Sequence, residues 1–250
     1  MRAIAAEMPR QGIRETDLVL LAIWAGFAFL EFALKPPVFM AWAVAGGALM
    51  VCRHLYTVVY RGRADQGDLV VAAIMPALVL CTGLSAWIVR LTPVTIDRQL
   101  AALDLGAAPA VRTWTLAHPQ LYFGVWLAYG ALPFFVVACA ATMRRQERIR
   151  LGLGIMLGGL LVPAWYLVFP AVGPIHVGEA FAPRNCMPSM HVTWALLAAM
   201  SCQGRARLLA GAFVAVTAWA TLATGEHYLP DLIVALPWAW ALSRAAGRIA

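Results

Sequence analysis

The stretch Arg144-Arg145-Gln146-Glu147-Arg148-Ile149-Arg150-Leu151-Gly152-Leu153-Gly154-Ile155-Met156-Leu157-Gly158-Gly159-Leu160-Leu161-Val162-Pro163-Ala164-Trp165-Tyr166-Leu167-Val168-Phe169 decides the fold. It opens with the densest basic cluster in the chain, and from Leu151 to Phe169 no side chain is charged. An apolar helix of about 20 residues crosses the ~30 Å hydrocarbon core of a bilayer. Similar blocks recur at 18–34, 38–52, 69–89, 120–141, 188–203, 208–224 and 232–246, separated by short charged or Pro/Gly-rich patches. Of the 250 residues, 62 % are hydrophobic and 12 % charged, about half the charged fraction of an average soluble domain. That composition excludes disorder and speaks against a water-soluble fold. The expected fold is an all-α, polytopic membrane helical bundle of about eight transmembrane helices. The first block ends in Glu31-Phe32-Ala33-Leu34-Lys35-Pro36-Pro37, without a small-residue cleavage site, and reads as a retained span.

A net charge of +7 suggests nucleic acid in a soluble protein, but here it follows the positive-inside rule. With both termini cytoplasmic, the inner segments hold Arg2, Arg10, Arg14, Arg53, Arg61, Arg63, Arg144, Arg145, Arg148, Arg150, Arg205, Arg207, Arg244 and Arg248, leaving Lys35, Arg90, Arg98, Arg112 and Arg184 outside. No nucleic-acid partner is expected. The cysteines, Cys52, Cys81, Cys139, Cys186 and Cys202, lack metal-ligand spacing, so neither a disulfide nor a zinc site is expected. Tryptophans gather near the span ends, as interfacial anchors do.

Two outer segments are long. In 90–119, Ile96, Leu100 and Leu103 recur at helical spacing opposite Asp97, Arg98 and Asp104, the pattern of a helix lying in the membrane interface. The segment 170–187 begins Pro170-Ala171-Val172-Gly173-Pro174 and carries His176, Glu179, Arg184 and Asn185. Its Pro and Gly residues keep it out of regular helix.

Polar chemistry concentrates at two expected helix starts. Pro188-Ser189-Met190-His191 opens one, with Pro188 suited to a first helical position, and Gly225-Glu226-His227-Tyr228-Leu229-Pro230-Asp231 opens the other. Free N–H groups and the positive dipole end at such starts favour a phosphate or a developing anion. His227 and Asp231, four apart, share one helix face, so the carboxylate can fix the imidazole tautomer and free the other ring nitrogen for attack. Ionisable groups at a membrane boundary are costly, about 2.5–3.5 kcal/mol on insertion scales, which makes each a functional candidate. Glu226 either tunes His227 or is solvated; Tyr228 reads as packing.

Pro188-Ser189-Met190-His191 followed by His227 and Asp231 resembles the second and third signature motifs of the type 2 phosphatidic acid phosphatase superfamily. Phe169-Pro170-Ala171-Val172-Gly173-Pro174 and Asn185-Cys186-Met187-Pro188-Ser189-Met190-His191 resemble its aureobasidin-resistance branch, the inositol phosphorylceramide synthase-like enzymes. The resemblance implies a six-helix catalytic core over 69–250, preceded by a cytoplasmic tail 1–17 and two additional spans within 18–68. It makes His227 the nucleophile, Asp231 its orienting partner and His191 the general acid, with Ser189 holding phosphate. Arg184, Asn185 and His176 are further candidate substrate-binding groups. The superfamily pattern has Arg where this chain has Thr221 and Gly where it has Met190, and its Lys-to-Arg-Pro first motif has no match. A phosphodiester or lipid-linked head group therefore suits the site better than a doubly charged phosphomonoester.

The resulting expectation is a metal-independent, cofactor-free phosphotransferase of an inner or plasma membrane, in the bacterial manner. Its site lies on the periplasmic or extracellular side, and its partners are a lipid phosphate or phospholipid and an alcohol acceptor. The rival within the class is hydrolysis of a phosphatidate- or isoprenyl-diphosphate-type lipid. A transporter of anions or lipids would need polar residues through the midplane, where the last three spans offer only Thr193, Ser201, Thr217 and Thr221.

Overall fold

A computed structural model describes residues 92–249 apart from 180, 181 and 183. The expected tail 1–17, the additional spans within 18–68 and the span 69–89 lie outside them. Within the described residues all regular structure is helical: α1 (Asp97–Asp104), α2 (Ala107–Leu116), α3 (Pro119–Thr142), α4 (Arg145–Val168), a 3-10 turn (Pro174–His176), α5 (Met190–Ser201), α6 (Gly204–Thr224) and α7 (Leu229–Ile249). The expected spans 120–141, 151–169, 208–224 and 232–246 correspond to α3, α4, α6 and α7. Pro119–Ala140 within α3, and α4 and α6 in full, are long and apolar enough to cross a membrane.

The expected span 188–203 needs correction. Its helix, α5, has 12 residues, about 18 Å at 1.5 Å per residue, and falls short of the hydrocarbon thickness. Pro188 is not the first helical residue; it is buried ahead of Ser189, whose side chain caps α5 by accepting the Val192 N–H at 3.4 Å. Irregular backbone precedes it, and Ala171, Val172, Gly173, Cys186, Met187 and Ser189 of the connection between α4 and α5 are buried in the bundle. Such backbone is tolerated beside a bilayer only where protein surrounds and satisfies it.

Helix α5 is central, packing against α3, α4, α6 and α7, while α3 also meets α4 and α6, and α4 meets α7. The core joins Leu132 and Val136 of α3, Ile155 and Tyr166 of α4, Trp194 and Leu197 of α5, and Leu242 of α7. Gly158 of α4 permits the close approach: a Cβ there would lie 3.0 Å from Leu242 Cδ1 and 3.2 Å from Met190 Cε. Chain direction alternates, so α3, α5 and α7 begin at one end of the bundle, where α4 and α6 finish. Arg144, Arg145, Arg148, Arg150, Arg205, Arg207, Arg244 and Arg248 belong to the opposite end. There Arg150 donates to the Ser243 carbonyl at 3.2 Å and to its Oγ at 3.0 Å, tying α4 to α7.

The short helix expected in 90–119 forms as α1, with its inward face reversed in part. Asp97, Leu100 and Asp104 are buried, whereas Leu103 is 66 % exposed. Hydropathy alone points the carboxylates outward, but backbone donors draw them in. Asp97 accepts the N–H groups of Val172 (3.1 Å) and Gly173 (3.0 Å), and Asp104 accepts those of Ala108 (2.9 Å) and Leu229 (2.7 Å). A hydrogen bond to a charged acceptor contributes about 1.5–3 kcal/mol net, enough to offset burial that an unpaired carboxylate would not survive.

Gly173 fixes the course of the buried loop. Its φ is 87°, and a Cβ there would collide with the Glu226 carbonyl oxygen. Gly173→Ala is therefore expected to lower stability by about 1–3 kcal/mol or more, read as a lower thermal midpoint in detergent. An unchanged midpoint would contradict this packing.

Candidate active site

Helix α7 starts at Leu229, so His227 stands in the loop ahead of it and not, as expected, on a helix face shared with Asp231; the first N–H groups there are accounted for individually. Asp231 Oδ2 accepts the Tyr228 N–H at 2.7 Å, the backward half of a capping box. Asp104 takes the Leu229 N–H. Capping alone would explain an aspartate at this position. Beyond that role, Oδ2 lies 3.4 Å from His227 Nδ1, with both side chains buried, at the long end for an N–H···O contact. The imidazole Nε2 is thereby left as the ring atom not directed at Asp231. Ser189, at the start of α5, donates its backbone N–H to the Asp231 carbonyl at 3.2 Å, which joins the two helix starts.

His191 lies in the first turn of α5, with its ring centroid 6.4 Å from that of His227 at an interplanar angle of 65°. Both imidazoles thus stand at one end of the bundle. Tyr129 of α3 stacks on His191, with centroids 4.0 Å apart and planes at 22°, and Trp194 stands 6.1 Å away. Sequence gave no indication of Tyr129, which sits within an apolar span. Ser189 is fully buried, its Oγ already engaged in capping.

The remaining candidates separate. Arg184 is buried and donates through Nε to the Thr92 carbonyl at 3.3 Å. Asn185 is half-buried next to it. His176 is engaged on both nitrogens: Nδ1 lies 3.0 Å from Glu179 Oε2, and Nε2 lies 3.3 Å from Glu226 Oε2. Glu226 thus faces His176. Arg112 of α2 comes to the His227 loop, with Nε 2.9 Å from where a Cβ on Gly225 would stand. That Nε is buried and has no hydrogen-bond partner.

Cys186 is the group least anticipated from spacing, although it was the one cysteine outside the apolar blocks. Its Sγ donates to Asp231 Oδ2 at 2.7 Å and lies 3.5 Å from His227 Nδ1. Burial, the Asp231 charge and the hydrogen bond to it hold the thiol well above its ordinary pKa, so at neutral pH it is a protonated donor and a poor nucleophile. Peptide mapping after iodoacetamide treatment at neutral pH should find Cys186 largely unmodified in the folded protein and labelled after unfolding, with labelling of the folded form rising at alkaline pH. Rapid labelling of the native protein at neutral pH would contradict the assigned environment.

A family model described as PAP2 superfamily matches residues 175–245. No curated protein and no solved structure matches the chain. The matched stretch runs from the 3-10 turn into α7 and contains His191, His227 and Asp231, which supports the superfamily resemblance carried by the two motifs.

Proposed function

We propose that this chain is a membrane enzyme that transfers a phosphate or phospho-alcohol head group to or from a lipid, through a phosphohistidine at His227, in the manner of the inositol phosphorylceramide synthase-like branch. The observation that carries this reading is the pair of imidazoles 6.4 Å apart, one of them with Nδ1 turned toward a buried carboxylate. The concentration of arginine at the opposite end of the bundle supports a site facing the periplasm or cell exterior, with the C-terminus cytoplasmic.

In the first step His227 Nε2 attacks phosphorus in line. The P–N bond forms as the P–O bond to the leaving alcohol breaks, and His191 gives its proton to the departing oxygen. Asp231 stabilises the proton on Nδ1 as the ring becomes cationic. In the second step His191 takes the proton of an acceptor alcohol or water, whose oxygen attacks phosphorus and releases His227. Phosphoryl transfer depends mainly on positioning and electrostatics, which the converging starts of α5 and α7 would supply. Arg112 is the nearby guanidinium available to meet phosphate charge, because Arg184 already serves Thr92. Among the described residues at this end, carboxylates (Asp97, Asp104, Glu179, Glu226, Asp231) outnumber guanidinium groups (Arg98, Arg112, Arg184). That balance favours a singly charged phosphodiester over a phosphomonoester dianion.

The deciding experiment incubates purified protein with a panel of lipid phosphates and head-group donors, with and without an acceptor alcohol, and identifies products by mass. A head group moved to the acceptor is expected; free alcohol and phosphate in both arms would favour the hydrolytic reading. His227→Ala should abolish turnover and the acid-labile phosphate trapped on the wild type. His191→Ala should lose about 10²–10⁴-fold in rate; burial and the facing His227 push the His191 imidazole down to about 3, so it donates a proton only once a bound phosphate anion has raised it. Arg112→Gln should raise KM more than it lowers kcat. Trapped phosphate persisting in His227→Ala would refute the mechanism.

A further inference from the structure

The two oxygens of the fully buried Asp231 are unequally satisfied. Oδ2 is crowded by the Tyr228 N–H, the Cys186 S–H and the His227 ring, whereas Oδ1 has no hydrogen-bond partner. A buried acceptor left bare is costly, and the two side chains against this carboxylate, Cys186 and His227, are both metal-ligating types. Ligand atoms of Cys186, His227 and Asp231 lie within 4.8 Å of one another. Thiolate, imidazole and carboxylate are the three side-chain donors that zinc takes, at about 2.3, 2.0–2.1 and 2.0–2.2 Å. Tetrahedral angles at those lengths put S and N about 3.6 Å apart and N and O about 3.4 Å apart. The structure has 3.5 and 3.4 Å. Only the S–O separation of 2.7 Å must widen, and that contact is the S–H···O bond that a metal would replace.

We propose that Cys186, His227 and Asp231 form an inhibitory site for a soft divalent cation of the zinc type. The binding half of this inference stands on the geometry, and the inhibitory half rests on the reading of His227 as nucleophile. On binding, the cation forms a bond to Cys186 Sγ, and the thiol proton passes to solvent. It also takes the lone pair of His227 Nδ1, which places the ring proton on Nε2, and it bonds Asp231. No electron is transferred. With Nε2 protonated the ring has no lone pair to offer phosphorus, and Asp231 is withdrawn from orienting it. Apolar substitution of Cys186 would remove the soft ligand while leaving the histidine and the carboxylate in place.

The test uses the purified full-length protein stripped with EDTA. Cadmium is titrated while the ultraviolet thiolate-to-cadmium charge-transfer band is followed, with zinc as competitor, in wild type, Cys186→Ala, Cys186→Ser and the Cys139→Ala/Cys202→Ala double variant. Cys186→Ser keeps a hydroxyl to donate to Asp231 and guards against misfolding of the alanine variant. One equivalent of cadmium band should be present in wild type and the double variant, absent in both Cys186 variants, and displaced by zinc. Zinc should inhibit wild-type turnover reversibly by EDTA. Inhibition of the Cys186 variants, each normalised to its own metal-free rate, should require roughly tenfold or more zinc, at least the loss seen when a metal site's supporting partners are removed. A band unchanged in both Cys186 variants overturns the site, whatever the activity. Cadmium bound through Cys186 with turnover unaffected or stimulated by zinc overturns the inhibitory role. Failure to trap phosphate on His227 in metal-free protein would instead count against the catalytic reading, with the band intact.

Discussion

Buried carboxylates that accept backbone N–H groups are the constraint on which the rest of this structure depends. Where α5 stops short, the chain must carry non-helical backbone inside an apolar bundle, and each unsatisfied polar group there costs several kcal/mol. Asp97 serves Val172 and Gly173, Asp104 serves Ala108 and Leu229, and Asp231 serves Tyr228. These bonds hold the buried loop and the start of α7 in one place. His227 is therefore positioned by hydrogen-bond accounting as much as by packing.

The same economy sets the electrostatic character of the site. Asp97 and Asp104 each accept two N–H groups, and the Ser189 N–H bond to the Asp231 carbonyl brings the positive dipole ends of α5 and α7 together. Asp231 is the exception. It caps a helix, accepts a hydrogen bond from a thiol and faces a histidine through one oxygen, while its other oxygen has no hydrogen-bond partner. A group asked to do so much is where a change of ligand or metal would be felt first. Tyr129, stacked on His191, restrains the plane of that ring.

Much of the architecture is legible in the order of residues. The apolar blocks that became α3, α4, α6 and α7, the segregation of arginine to one end, and the placement of His191 and His227 at the other follow from the order of residues. Hydropathy over about 20 residues, charge bias and Pro or Gly punctuation are sums over neighbours in the chain, and a bilayer-scale bundle obeys such sums. His227 and Asp231 do meet, but His227 lies in the loop ahead of α7, so the capping turn closed by the Tyr228 N–H on Asp231, and not a shared helix face, brings them together.

Tertiary structure decided what the sums leave open. The inward face of α1 was set by donors 75 to 125 positions away, which outweighed the polarity that would have turned Asp97 and Asp104 to solvent. Helix α5 is short because the Ser189 cap and the buried loop take over part of the depth that an apolar count assigns to a span. Cys186 meets Asp231 across 45 residues, and Arg112 reaches Gly225 from a helix that sequence did not resolve. Period and composition fix which segments are helices and which end of the bundle is basic. Contacts between distant segments fix which polar atoms are satisfied, and the chemistry of the site depends on those.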